Sequence, residues 1–319
     1  MRGMRKRPLG TTGLEVSELA VGTFGLSGDG YGPVKDFEVD RVLDKALEAG
    51  INLFETADVY GDGAMEKKLG ERFEKLEEQP IVVTKVGTDR YAQPRPRKRF
   101  EPSYLREAVG RCQERLRRTT IDVVLLHNPS LSTLVRGEAA GLMKELVAEG
   151  AIRAWGVSVG DVDTARAALA SGAQVIQLPY NIFFQRILRE ITPDLAVSGA
   201  GVLARSVLAY GLLAGMLSKD RTFSPDDHRT QRWTREELST RIRQLDALRP
   251  LLGADVMTFR SLAVRFVLSN ERVSSAVLGP RTMPQLDMLV REAGKGPPYL
   301  AKDVLDRLPE NLAKMEVES

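Results

Sequence analysis

Two acids and a tyrosine crowd the stretch "LFETADVYGDG" (53–63), with Glu55 five residues before Tyr60 and Asp58 two before it. Farther along, "IVVTK" ends in Lys85 and "IDVVLLH" ends in His127. An acid, a tyrosine, a lysine and a histidine suit donation of a proton to a carbonyl. Tyrosine, with a reference pKa of about 10, is a weak acid at neutral pH. A nearby ammonium favours the tyrosinate and lowers that value, and a carboxylate would keep the ammonium charged and fixed. A histidine can orient the carbonyl or share in the proton transfer. Spacing alone does not say whether Glu55 or Asp58 partners the lysine.

Each residue has an ordinary reading too. A lysine after a strand is usually solvated, a strand-end histidine is often structural, and Tyr60 could pack with its hydroxyl at a rim. Repetition speaks against the ordinary reading. Other apolar runs end in Ser158, in Gln177, and in Arg205 with Ser206. Metal chemistry has little to draw on: the two histidines are His127 and His228, without metal-ligand spacing. No G-x-S-x-G or Walker pattern occurs. A Schiff-base, aldolase-type barrel with Lys85 as nucleophile stays open as a competitor.

The elements that must position these residues recur as amphipathic helix, glycine, short apolar strand. "DFEVDRVLDKALEAGINLFE" is the first instance, with Val39, Val42, Leu43, Ala46 and Leu47 on one helical face and Gly50 at its end. The pattern returns at Gly150, Gly172 and Gly199, and with Asn270 in the glycine's role. "PIVVTKVG" and "IDVVLLH" are continuous apolar runs, as in parallel strands buried on both faces. With "ELAVGT" near residue 20 the strands number eight. A doubly wound sheet should carry G-x-G-x-x-G after its first strand; the glycines of "GLSGDGYG" fall at 25, 28, 30 and 32 and do not fit. The expectation is a (β/α)8 TIM barrel, whose catalytic groups gather at strand C-terminal ends. "LGTTGLEVSELAVG" reads as a β-hairpin turning at Gly13 and covering the barrel bottom. The charged segment 212–257 reads as an insertion after strand seven, with a helix in "TREELSTRIRQLDALRP".

Bulk properties bound the partners. The 319 residues are 43% hydrophobic with a net charge of +3, enough for a real core and too little charge for a nucleic-acid binder. No stretch approaches the ~18 apolar residues of a membrane span, and no secretory signal follows the basic start. A cytoplasmic protein is expected. The single cysteine, Cys112, lies in a helical pattern and reads as a packing residue. The run "DRYAQPRPRKRF" (89–100) reads as a solvated loop at the active-site end, or else as a basic lip that attracts anions.

Several segments together resemble the aldo-keto reductase family: "LGTTGLEVSELAVGTFG", "AGINLFETADVYGDGAMEKKLGERF", "VVTKVG", "IDVVLLHNP", "LVAEGAIRAWGVS", "VIQLPYNIFFQR" and "LGPRTMPQL". The resemblance spans nearly the whole chain. It implies one barrel over 1–319, an NADP(H) cofactor, and a small-molecule aldehyde or ketone as substrate. It implies a tetrad of Glu55, Tyr60, Lys85 and His127. It also decides the acid: the family's aspartate falls at Glu55, one methylene longer here, and Asp58 is left as a solvated loop acid. The implied cofactor contacts are Gly22 and Thr23 on the first strand and Ser158 and Gln177 at the nicotinamide amide. Arg205 falls where an aromatic ring often stacks on the nicotinamide. Ser206, Leu208 and Gly211 match the pyrophosphate wrap, Arg281 the 2′-phosphate contact, and Gln285 an adenine-side contact. Val159 and Leu289 stand where the family usually has asparagine. These departures keep a second function in view, a cofactor-bound sensor or regulatory subunit, as in the family's potassium-channel β subunits. Neither oligomeric state nor physiological substrate is encoded legibly.

Overall fold

The computed structural model describes residues 4–92, 96–253, 255–294 and 296–313. A hairpin comes first, β1 (Lys6–Pro8) pairing antiparallel with β2 (Glu15–Ser17). Eight parallel strands then close a barrel: β3 (Leu19–Gly22), β4 (Leu53–Glu55), β5 (Ile81–Val86), β8 (Ile121–His127), β9 (Ile152–Ser158), β10 (Val175–Pro179), β11 (Gly201–Arg205) and β12 (Val273–Leu278). Between β5 and β8 lies a two-stranded ribbon, β6 (Thr88–Asp89) and β7 (Arg97–Lys98). The helices are α1 (Asp36–Glu48), α2 (Ala64–Phe73), α3 (Pro102–Leu116), α4 (Leu131–Arg136), α5 (Glu138–Ala148), α6 (Val162–Ala170), α7 (Arg186–Ser198), α8 (Arg235–Asp246), α9 (Phe259–Ser269), α10 (Met283–Ala293) and α11 (Lys302–Ala313). The expected TIM barrel is the observed architecture.

Helix α1 shows why the repeat folds as it does. Val39, Val42, Leu43 and Ala46 are its buried face, while Asp36 and Glu38 sit in the first turn and Lys45 in the last, matching the helix dipole. Gly50 adopts φ 78°, and Ile51 N–H reaches back to the Ala46 carbonyl at 3.0 Å. That closure aims the chain into β4, and Gly150 and Gly172 repeat it. Asn270 does not. It sits at φ −86°, extended, with Nδ2 donating to the Tyr180 hydroxyl at 3.0 Å and Oδ1 accepting from Arg272 N–H at 3.0 Å. Its side chain finds tertiary partners, so this helix ends without a left-handed residue.

Alternation along the strands divides the barrel interior into layers. Ala20, Leu53, Val83, Val123, Leu125, Ala154, Val175, Leu203 and Val277 form a core inside the barrel. Leu9, Leu14 and Val16 of the hairpin join the same cluster, so the hairpin plugs one end, as expected. Residues two positions later on the strands stay inside the barrel but lie nearer the other end. That step turns Ala20 into Gly22, Leu53 into Glu55, Val83 into Lys85, Leu125 into His127, Val175 into Gln177 and Leu203 into Arg205.

The segment between β11 and α9 holds α8, begun by a capping box in which Thr234 and Glu237 bond reciprocally. The helix stops before Pro250, and a 3-10 turn over Arg249–Leu251 follows. The 89–100 run is more structured than a plain loop. Its ends pair as β6 and β7, Arg99 meets Asp89 at 3.1 Å and Arg90 meets Asp29 at 3.4 Å; residues 93–95 lie outside the described residues. Cys112 is fully buried in α3. Among the described residues no helix is long and apolar enough to cross a membrane.

Candidate active site

Glu55, Lys85 and Tyr60 are joined directly. Lys85 Nζ forms a short ion pair with Glu55 Oε1 and donates to the Tyr60 hydroxyl at 3.1 Å and to the Thr56 carbonyl at 2.8 Å. Glu55 is 4% exposed and Lys85 1%. Gln177, fully buried on the opposite side of the barrel, donates from Nε2 to the same Glu55 oxygen at 2.8 Å. The longer acid therefore reaches the lysine without losing the pair. Glu55 Oε2 lies over Gly22, where a Cβ would sit only 3.2 Å from it.

Burial acts on all these groups. By itself it would lower the Lys85 ammonium, but Glu55 and Tyr60 outweigh it and hold the lysine above its ordinary value. Tyr60 moves up from 10.0: burial dominates, and the opposing pull of Lys85 does not overcome it. The sequence-based expectation of a lowered tyrosine is thus reversed, because a tyrosinate is expensive to hold in an enclosed site. At neutral pH Tyr60 carries its proton. His127 is driven well below 6.5 by burial and by Lys85, Lys98 and Arg205, so its ring is neutral. The ring stands nearly perpendicular to Tyr60, with 6.3 Å between centroids, and its buried Nδ1 has no partner.

Two further cations flank His127. Lys98 Nζ donates to the His127 carbonyl at 2.7 Å and to Thr88 Oγ1 at 2.8 Å. Arg205 Nη2 donates to the Val159 carbonyl at 3.0 Å, and Nη1 reaches Ser206 Oγ at 3.5 Å. Above Tyr60 rises an aromatic wall. Phe24 is 5.2 Å from the Tyr60 ring, and Phe24 and Tyr31 both meet His228 edge-on. His228 belongs to the segment after β11, and its N–H donates to the Gly30 carbonyl at 2.9 Å. That segment thus helps shape the mouth of the barrel.

The other expected contact residues form two groups. Thr23 and Ser158 are buried at strand ends near the tetrad. Ser206 adopts φ 58° and its carbonyl accepts from Asn181 Nδ2 at 2.9 Å; Leu208 packs on the core, and Gly211 takes φ 91° beside Arg229. Away from them, Arg281 folds back on the loop before α1. Its Nε donates to the Gly25 carbonyl at 3.1 Å, and its Nη2 to the carbonyls of Gly32 at 2.8 Å and Pro33 at 3.0 Å. Gln285 Oε1 accepts from the Arg281 N–H at 2.8 Å, and Leu289 is buried in the core.

A profile described as "Aldo/keto reductase family" matches residues 18–294. The chain belongs to the aldo/keto reductase family. It is 31% identical over 302 residues to an NADH-specific methylglyoxal reductase of Escherichia coli (strain K12), covering 88% of this chain and 91% of the relative. It is 30% identical over 302 residues to an aldo-keto reductase of Bacillus subtilis (strain 168), covering 91% and 89%. Among solved structures, a glycerol dehydrogenase from Gluconobacter oxydans superposes with a TM-score of 0.85 at 28% identity, covering 100% of this chain and 98% of that one. An aldo-keto reductase from Bacillus halodurans in its holo form gives 0.81 at 26% identity, covering 97% and 96%.

Aldo-keto reductases use a nicotinamide cofactor. The barrel mouth fits such a group: Thr23 Oγ1 and Gln177 Oε1 are buried there without partners, acceptors ready for the carboxamide N–H groups. Asp58 departs from its expected solvated role. Its Oδ1 is buried and unpartnered, and burial together with the Glu66 carboxylate raises its pKa from 3.8 to about 7. Glu66 itself is fully buried, bound by Thr84 Oγ1 and Arg115. Lys98 and Thr56 are contacts that the sequence did not single out. The basic run 89–100 was the only signal for Lys98, and a backbone carbonyl leaves none.

Proposed function

We propose that the protein is a nicotinamide-dependent carbonyl reductase in which Glu55, Tyr60, Lys85 and His127 act together. The observation that carries this is Lys85 Nζ, which bonds Glu55 and the Tyr60 hydroxyl at once inside the barrel mouth. When bound, the reduced nicotinamide supplies a hydride to the carbonyl carbon. Tyr60 gives its proton to the carbonyl oxygen, which becomes far more basic than a phenolate as the hydride arrives. The high pKa of Tyr60 keeps that proton in place until then. Lys85, at 3.1 Å, stabilises the tyrosinate left behind, and Glu55 keeps Lys85 charged. Neutral His127 donates a hydrogen bond that holds the carbonyl toward Tyr60. Gly22, Thr23, Ser158 and Gln177 bind and orient the nicotinamide end, Arg205 lays its guanidinium plane against the ring with its N–H edge toward the carbonyl site, and Ser206, Leu208 and Gly211 line the continuation toward the pyrophosphate.

A Schiff-base mechanism is disfavoured by the same geometry. An amine nucleophile must be neutral, and Lys85 is held charged by its neighbours.

The cofactor form expected from Arg281 is NADP(H). We retain it with a narrow preference over NAD(H). Arg281 already spends three hydrogen bonds on loop carbonyls, so a 2′-phosphate exchanges contacts rather than simply adding them. The E. coli relative is named NADH-specific, which also argues for a narrow margin. Mixing the protein with reduced cofactor and 4-nitrobenzaldehyde tests the reading. Substrate-dependent consumption of the cofactor supports it; tight cofactor binding without turnover would favour the sensor reading instead.

A further inference from the structure

Three cations lie close enough for their charge to act on His127: Lys85, Lys98 and Arg205. Lys85 is neutralised by Glu55. Among the described residues, neither Lys98 nor Arg205 has a carboxylate within ion-pair distance; each rests on backbone carbonyls and hydroxyls. The nearby arginines behave differently, for Arg90 pairs with Asp29, and Arg99 with Asp89 and Glu101. The acid that Lys98 does feel is Asp58, which makes no ion pair with it and is itself raised to about 7. Two positive charges are therefore left uncompensated beside the proposed carbonyl site.

Their placement is built by the fold. His127 ends β8 and is in register with Ser158, the end of the adjacent strand β9. Lys98 holds the His127 carbonyl, and Arg205 holds the carbonyl of Val159, one residue past β9. The two carbonyls that these cations hold thus lie at neighbouring strand ends, and adjacent strands lie roughly 5 Å apart. Pairing of Thr88 with Lys98 in the β6–β7 ribbon fixes the lysine from outside. Lys98 is exposed on β7, and partial desolvation of its ammonium lowers its pKa against the opposing pull of Asp58.

Resting on the reductase reading above, we propose that Lys98 and Arg205 form an anion subsite beside His127, and that the preferred substrates are carbonyl compounds carrying a carboxylate. The carboxylate docks on the two cations while the carbonyl oxygen lies between Tyr60 and His127. A neutral aldehyde of the same shape leaves both cations without a partner. Charge-assisted contacts of this kind discriminate by roughly tenfold or more.

The test compares 4-carboxybenzaldehyde with methyl 4-formylbenzoate, which share ring and reacting carbonyl and differ in charge. At low ionic strength kcat/KM for the acid should exceed that for the ester by roughly tenfold, mainly through KM. Salt at about 0.5 M should narrow the gap. Lys98→Gln keeps a donor for the His127 carbonyl but removes one of the two charges, and should shrink the ratio to roughly threefold; Lys98→Arg should restore it. Equal use of acid and ester by the wild type, or an unchanged ratio in Lys98→Gln, overturns the subsite. A second reading needs no turnover: calorimetric titration of the protein loaded with reduced cofactor, using 4-(hydroxymethyl)benzoate and its methyl ester. Tighter binding of the acid supports the subsite, and equal binding overturns it. Selective acid binding with neither aldehyde reduced would sink the reductase reading and leave the anion site standing.

Discussion

Gln177 and Glu55 meet across the barrel, Nε2 donating to Oε1 at 2.8 Å, on the same oxygen that pairs with Lys85. One strand-end amide thus fixes the carboxylate that fixes the lysine. Gln177→Leu should leave Glu55 free to swing and should also remove an acceptor for the nicotinamide amide. We expect kcat to fall by roughly 10–100-fold, the equivalent of one hydrogen bond to a charged group. Steady-state kinetics with saturating cofactor checks this, and an unchanged kcat would show that the amide does not position the acid.

Glu55→Asp restores the acid usual in the family but in a pocket shaped around the longer side chain. The carboxylate spans the end of β3 above Gly22 to reach Lys85 and Gln177 together. Shortening it by one methylene withdraws the oxygens by about 1.5 Å. We expect a loss in kcat of up to roughly 10²-fold, with little change in cofactor Kd. A gain in kcat would mean that the pocket has not adjusted to glutamate.

Asp58 makes stability depend on pH in a known direction. Its folded pKa of about 7 lies above its ordinary 3.8, so the native state binds the extra proton between those values. Its contribution is full below about pH 4 and is lost as pH rises through 7. Asp58→Asn removes this titration. Relative to wild type, its unfolding free energy should therefore improve by about 1.4 kcal/mol more at pH 8 than at pH 6. Urea unfolding at the two pH values reads the difference; an identical increment at both would place the true pKa elsewhere.

For the cofactor, each contact of Arg281 with a 2′-phosphate is worth about 1.5–3 kcal/mol, and each carbonyl bond it gives up offsets a similar amount. The ratio of NADH to NADPH dissociation constants, measured by quenching of protein fluorescence, should thus be above one and below about tenfold. A ratio near 100 would mean that the loop carbonyls release Arg281 at little cost.

The sequence carried the barrel and most of its polar ring because a repeat of helix, glycine and apolar run marks most strands, and most runs end in a polar residue. Lys85 and His127 sit two residues beyond Val83 and Leu125, so strand ends alone located them. Asp58 was misread because its burial depends on Glu66 of α2 and Arg115 of α3, neighbours that no local pattern announces. Asn270 was misread for a similar reason, its side chain being claimed by Tyr180, ninety residues away. Arg281 was legible as a residue but not as a conformation. The loop carbonyls that hold it become neighbours only when β3 and β12 pair.

The central claim is that Tyr60 delivers the proton. The most direct measurement is single-turnover consumption of NADPH with 4-nitrobenzaldehyde by wild type and Tyr60→Phe, alongside the NADPH dissociation constant of each. The variant loses only the hydroxyl that Lys85 holds at 3.1 Å. The predicted result is a fall in rate of roughly 10²–10⁴-fold with NADPH binding nearly intact. A variant that binds NADPH and keeps most of the wild-type rate would contradict the assignment.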